Sequence, residues 1–176
     1  MSRRYAFSGL PMQELHDIVS SLLDRDGTCR DLNFENPTWS GVDTLLQKLA
    51  SSFRMAAASD SEGETICSLG GVAAVVRKGR CVIADLDNGS GLIQRLQVFL
   101  VSNEDGTPFV EISFFPDDIA RTQRLRQDFL EWARGMRDAL CARRYYARYE
   151  NASWRFGDTG PSSGVFLVDA AVVSDA

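Results

Sequence analysis

Hydrophobic side chains recur with two different periods along this chain, and the change of period separates helices from strands. Across residues 92–115, Leu96, Val98 and Leu100 alternate with Gln97, Phe99 and Val101. After Ser102-Asn103-Glu104-Asp105-Gly106-Thr107-Pro108, a second run places Val110, Ile112 and Phe114 on one side and Phe109, Glu111, Ser113 and Phe115 on the other. Period-two alternation around an Asp-Gly turn predicts an antiparallel hairpin. Its wholly apolar face is expected on the core, and its mixed face is expected to be half covered.

A period of three to four residues marks three helices. Leu15, Ile18, Val19, Leu22 and Leu23 form a stripe over residues 11–24, with Ser8 or Gly9 near the start and Asp26-Gly27 as the stop. Asn36 is expected to cap a second helix with Pro37 in its first position, followed by Trp39, Val42, Leu46, Leu49 and Phe53 on one face, widened by Leu45. Gly41 within it costs about 1 kcal/mol relative to alanine unless it permits close packing. Pro116, Asp117 and Asp118 are read as the start of a third helix running to about residue 142, with Leu125, Phe129, Trp132, Met136 and Leu140 as its stripe.

The remaining apolar runs are short. Residues 29–34 are expected to be extended. Residues 54–59 and 65–69 are read as strands around the turn Asp60-Ser61-Glu62-Gly63-Glu64, and residues 72–76 and 81–84 as a hairpin around Arg77-Lys78-Gly79-Arg80. A loop follows at residues 85–91. Residues 145–149 and 165–173 are read as further strands, joined by a loop at residues 157–164 that holds Pro161, with Ser174-Asp175-Ala176 fraying. The pattern predicts one α+β domain over residues 1–176: an antiparallel sheet of five to seven strands, with about three helices packed mainly on one face.

Composition narrows the class. A chain of 176 residues that is 44% hydrophobic and 24% charged can bury a sizeable core as one soluble domain. No apolar run approaches the roughly 18–20 residues that span a bilayer, so no membrane partner is expected. Met1-Ser2-Arg3-Arg4 has no apolar segment behind it, which points to the cytoplasm rather than secretion. Cys29, Cys67, Cys81 and Cys141 lack paired spacing and are read as buried free thiols. The net charge of −5 is unevenly spread: residues 117–148 hold eight arginines and five acids, leaving the rest strongly acidic.

Candidate chemistry is sparse. Asp85-Leu86-Asp87-Asn88-Gly89-Ser90-Gly91 begins like a calcium loop, but the twelfth position, where a bidentate acid belongs, is Leu96. Gly70-Gly71 and Gly89-Ser90-Gly91 are too short and wrongly placed for a phosphate loop. His16 is the one histidine, at the boundary of a helical stripe, and no second base is present to activate a serine or cysteine. No catalytic residue, metal or cofactor is predicted. Arg143-Arg144-Tyr145-Tyr146-Ala147-Arg148-Tyr149 interleaves cations and aromatics as single-strand binders do, but the acidic whole argues against nucleic acid.

Asn36-Pro37-Thr38-Trp39, leading into Val42-Asp43-Thr44-Leu45-Leu46 and then a run of antiparallel strands, resembles a pattern in bacterial immunity proteins of polymorphic toxin systems. The resemblance spans about the first two thirds of the chain. It implies a small, acidic, cytoplasmic, non-enzymatic protein that occludes the active site of a cognate toxin; it transfers no binding residues. On that reading the partner is a protein toxin or effector, met by the exposed acids Asp60, Glu62, Glu64, Asp85, Asp87, Glu104 and Asp105, because complementary fields steer encounter. The alternatives are a secretion chaperone or adaptor for an effector, and an enzyme whose site has no familiar motif. Oligomeric state has no signature in the chain.

Overall fold

The computed structural model describes residues 12–150, 154–159 and 163–170, with the side chains of residues 12–17 and 170 excepted. Helix α1 spans Met12–Leu23, β1 Arg30–Glu35, α2 Trp39–Ser52, β2 Arg54–Asp60 and α3 Leu69–Val76. Then come β3 Val82–Asp87, β4 Leu96–Ser102, β5 Pro108–Phe114, α4 Leu125–Ala139, β6 Arg144–Tyr149 and β7 Val165–Ala170. The seven strands form one sheet in the order β2-β3-β4-β5-β1-β6-β7, with every neighbouring pair antiparallel. The α+β expectation holds, with four helices rather than about three. The expected helix start before residue 12, the side chain of His16, Pro161 and residues 171–176 lie outside the described residues.

The hairpin forms as its alternation requires. Val98, Leu100, Val110, Ile112 and Phe114 are buried, facing the helices. A row of directly paired residues, Ala58, Ala84, Val98, Ile112, Leu32, Ala147 and Leu167, crosses all seven strands beneath them. Ile18 and Leu22 of α1, Val42, Leu45 and Leu49 of α2, Leu69, Val72 and Val76 of α3, and Phe129 and Met136 of α4 join that row in one core. At the hairpin tip, Gly106 takes φ +79°, a conformation glycine adopts without strain. The indole N–H of Trp39 donates to the Gly106 carbonyl at 2.8 Å, tying the start of α2 to the turn.

Several expectations are corrected. The cap of α2 is Thr38, whose Oγ1 accepts from the Gly41 N–H at 3.0 Å; Asn36 instead turns the chain out of β1 at φ +53°. Residues 72–76 are helical, because Leu69, Val72, Ala73 and Val76 share one buried face at three- and four-residue spacing, a period masked by the valines' preference for strands. Residues 65–69 consequently make one bridge, Thr65 to Ser59, rather than a strand. Residues 77–80 then close a helix instead of a hairpin.

Another correction concerns α4, which begins at Leu125. Pro116–Asp118 form a single 3-10 turn, held by Ala120 N–H to Leu92 O at 2.8 Å and Gln94 N–H to Asp118 O at 2.9 Å. These bonds draw the segment against the loop before β4 and out of the helix. At its other end α4 stops at Ala139, before Cys141 at φ +52°. Asp85 and Asp87 belong to β3 rather than to a loop. The cysteines are free, but Cys67 and Cys141 are exposed and only Cys29 is buried.

Two contacts fix how helices meet the sheet. Arg30 is fully buried where α1 ends. Its Nε donates to Ser21 O at 2.6 Å and its Nη2 to Asp24 O at 2.6 Å, satisfying carbonyls that the helix end leaves unpaired. Its guanidinium also lies 4.2 Å from the centre of the Tyr149 ring. Meanwhile α2 and α4 meet at Gly41, where an added Cβ would sit 2.2 Å from Leu140 O.

Gly41→Ala is therefore expected to lower stability by about 2 kcal/mol through forced separation of the two helices, instead of raising it by the roughly 1 kcal/mol of helix propensity. A urea unfolding midpoint above wild type would refute this packing. Arg30→Met should cost about 3 kcal/mol in the same assay, because it leaves the half-buried Ser21 and buried Thr28 carbonyls without their donor.

Candidate functional site

Alternate strand residues point away from the helices, and they build the sheet's second face. One row runs Ile83, Phe99, Glu111, Asn33, Tyr146, Val168 across six strands. The next runs Asp85, Gln97, Ser113, Asp31, Arg148. This face is divided into a roofed half and an open half.

Trp154 and Phe156 roof the side formed by β1 and β6. Both rings lie 5.7 Å from Tyr146, Phe156 reaches Phe109 at 6.5 Å, and the Arg148 guanidinium stacks 5.0 Å from Trp154. Beneath them Asp31 and Asn33 are buried. Arg148 holds Asp31 at 2.8 Å and Glu111 at 3.4 Å, and donates to the Asn33 side-chain oxygen at 3.0 Å. Asn33 donates to Glu111 at 2.6 Å, and the Ser113 hydroxyl to Asp31 at 2.7 Å. Burial raises the Asp31 carboxyl, and the Glu111 charge raises it further against the pull of Ser113 and Arg148.

Cys29 borders this network. Its thiol donates to Glu150 at 3.0 Å, and burial, then Glu150, push its ionisation well above the ordinary range. A thiol held protonated in this way is a poor nucleophile. The arginines of β6 are paired within the molecule: Arg148 with Asp31 and Glu111, Arg144 with Glu35 at 2.7 Å.

No element among the described residues covers the half formed by β3, β4 and β5. Among the described residues the exposed large apolar side chains are Ile83 (41% accessible), Phe115 (52%), Phe156 (49%) and Val168 (40%). All four lie on this face or in its roof. A groove of about 640 Å³ opens between β3 and the end of β5, its lining including Asp85, Asp87, Arg95, Phe115, Asp118 and Glu150. Among the described residues no cluster of three or more His, Cys, Asp or Glu is placed to hold a metal, and no helix is long and apolar enough to cross a membrane.

The seven predicted acids divide between the two ends of the sheet. Asp60, Glu62 and Glu64 gather around Arg80, at 2.6, 2.6 and 2.7 Å. Burial opposes ionisation of Asp60, but Arg80 and the N–H groups of Glu64 and Glu62 outweigh it and hold the carboxyl below its usual range. Glu104 and Asp105 lie in the hairpin turn at that same end. The Thr107 hydroxyl and N–H bind Asp105 at 2.6 and 2.9 Å, lowering its carboxyl.

Asp85 and Asp87 sit toward the opposite end. Arg54 grips Asp87 through two bonds, at 2.8 and 3.0 Å, and lowers it; Asp85 accepts from Gln97, at 2.8 Å. Sequence reasoning missed Asp118 and Glu150 as neighbours of this pair. Asp118 was absorbed into an expected helix start, and Glu150 lies just past a strand end, with no spacing to link them.

No protein-family model matches this chain, and no curated protein sequence matches it. Among solved structures, a chain of the 1.75 Å crystal structure of the toxic C-terminal tip of CdiA from Pseudomonas aeruginosa in complex with immune protein shares the fold. The TM-score is 0.54 at 16% identity, over 80% of this chain and 94% of that one.

Arg148→Gln leaves Asp31 and Glu111 facing one another without a cation, a loss of about 3 kcal/mol at pH 7.5. It also raises Asp31 further above its unfolded value. A carboxyl raised in the folded state lowers stability above its folded pKa and ceases to do so below its unfolded one. The deficit is accordingly expected to shrink between pH 7.5 and pH 5 in urea melts. An equal deficit at both values would show that Arg148 does not neutralise this pair.

Proposed function

We propose that this chain is an immunity protein, which binds a cognate protein toxin and neutralises it by covering the toxin's active site. The observation that carries this reading is the fold shared with a chain from a toxin–immune protein complex. The open half of the sheet supports it, because apolar side chains exposed among polar groups, here Ile83 and Phe115, mark protein interaction sites. So does the charge: acids outside residues 117–148 give the molecule a field that favours a basic partner. On this reading the protein is not an enzyme, and it acts in the compartment where the toxin would otherwise harm its host, the cytoplasm.

The acids Asp60, Glu62, Glu64, Asp85, Asp87, Glu104 and Asp105 contribute unequally. Asp60 and Asp87 are held by arginines of this chain and serve mainly its own loops and strands. Glu104 and Asp85 have no cation partner among the described residues, so they are available to attract one.

The test uses the toxin-like C-terminal domain encoded by the adjacent upstream gene. Co-expression of this chain should restore growth to cells making that domain, and the purified proteins should form a 1:1 complex. Charge reversal at Glu62, Glu64, Asp85 and Glu104 together should weaken the complex and flatten its dependence on salt. Absence of both rescue and complex formation at micromolar concentrations would overturn the reading.

A further inference from the structure

We propose that the uncovered half of the sheet, built by β3, β4 and β5, is the docking surface, and that its occupant is a basic segment of the partner protein flanked by apolar side chains. The proposal rests on the immunity reading for the identity of the partner, but the surface itself follows from this chain. Ile83 and Phe115 are exposed on either side of Phe99 and Gln97, where a water-facing sheet would place polar groups. Trp154 and Phe156 cover the neighbouring half, and among the described residues nothing covers this one.

Charge selects the occupant. The groove is lined by four carboxylates, Asp85, Asp87, Asp118 and Glu150, against one guanidinium, Arg95. Arg95 is engaged by Asp118 at 2.6 Å, and Arg54 reaches in to Asp87 at 2.8 Å. Among the described residues no cation pairs with Asp85 or Glu150: one accepts from the Gln97 amide, the other from the Cys29 N–H and thiol. A groove of about 640 Å³ has room for a long basic side chain, and such a cation would meet unneutralised acids at its walls and an apolar rim at Phe115. A second copy of this chain is a poor occupant, since twofold pairing through this face sets the same acids against one another. Nucleic acid is excluded by the same sign of charge.

The experiment has two arms, each run on the full chain and on the double variant Asp85→Lys, Phe115→Asp, whose altered side chains are both exposed. Glu131→Lys on α4 is the control, and near-UV circular dichroism confirms folding. In the first arm a peptide alternating arginine and tryptophan is titrated into ¹⁵N-labelled protein. Shifts should concentrate at residues 83–87, 95–99 and 113–115 and at Glu150, and should vanish in the double variant but not in the control. Shifts centred elsewhere, or unchanged in the double variant, overturn the proposal.

In the second arm the domain from the upstream gene is titrated calorimetrically. The double variant should lose at least about thirtyfold in affinity, as removal of a central anchor does, and the control should lose little. If wild type binds that domain and the double variant binds equally, the surface is wrong and the immunity reading stands. If wild type ignores that domain while the peptide maps to the groove, the immunity reading fails and the surface stands. Sedimentation showing a dimer that only the double variant abolishes would assign the face to a second copy and overturn the proposal.

Discussion

Carboxylates at the centre of a sheet require a cation within reach, and in this protein Arg148 supplies it. Strand β1 lies between β5 and β6 and is enclosed on both faces. Its core side, Leu32 and Phe34, needs only apolar neighbours, but its other side presents Asp31 and Asn33. Burying two polar side chains without partners would cost several kcal/mol. Arg148, Glu111 and Ser113 reach them from the flanking strands, and Trp154 closes over the guanidinium. The network fixes register as well as charge: sliding β1 by one residue would carry Asp31 into the core and Leu32 onto the polar side. At the strand's start Arg30 does the equivalent work for α1, by gathering the carbonyls of a helix end.

The two faces of the sheet thereby take different duties. The helical side is apolar and holds the domain together. The other is part network and part open surface, and the roof formed by Trp154 and Phe156 decides where one stops and the other starts. Phe156 touches both Tyr146 and Phe109, so the boundary falls along β5. Beyond it no element among the described residues covers the side chains of β3 and β4, which is why we propose the recognition surface there.

Most of the fold was legible wherever one period dominated. The β4–β5 hairpin, the burial of α2 through Val42, Leu46 and Leu49, and the stripe of α4 follow from local alternation or from three- and four-residue spacing. Residues 69–76 defeated that reading because Val72, Val75 and Val76 favour strands locally while their spacing fits a helix, and burial against α2 settles the competition. Pro116-Asp117-Asp118 has the chemistry of a helix start, yet the Arg95 guanidinium and the backbone of residues 92–94 claim it first. The polar face was the least visible part. Asp31 and Arg148 are far apart in sequence, and no local pattern announces that β6 returns to lie beside β1. The groove is hidden for the same reason, since its acids come from three separate segments.

The place of β1 also bears on when the molecule becomes whole. Strands β2 to β5 pair with neighbours close in sequence, so that meander can assemble from short loop closures. Strand β1 waits longer: its partners are residues 111–114 on one side and 144–149 on the other. During synthesis the first strand of the chain stays unsealed until nearly the last one has left the ribosome, with Asp31 and Asn33 open to water until Arg148 arrives. Completion of the sheet, and of the groove edge that Glu150 contributes, is therefore a late event in the life of each molecule. A cell relying on this protein would need a reserve of finished copies, because a chain still being made has half a sheet and no closed centre.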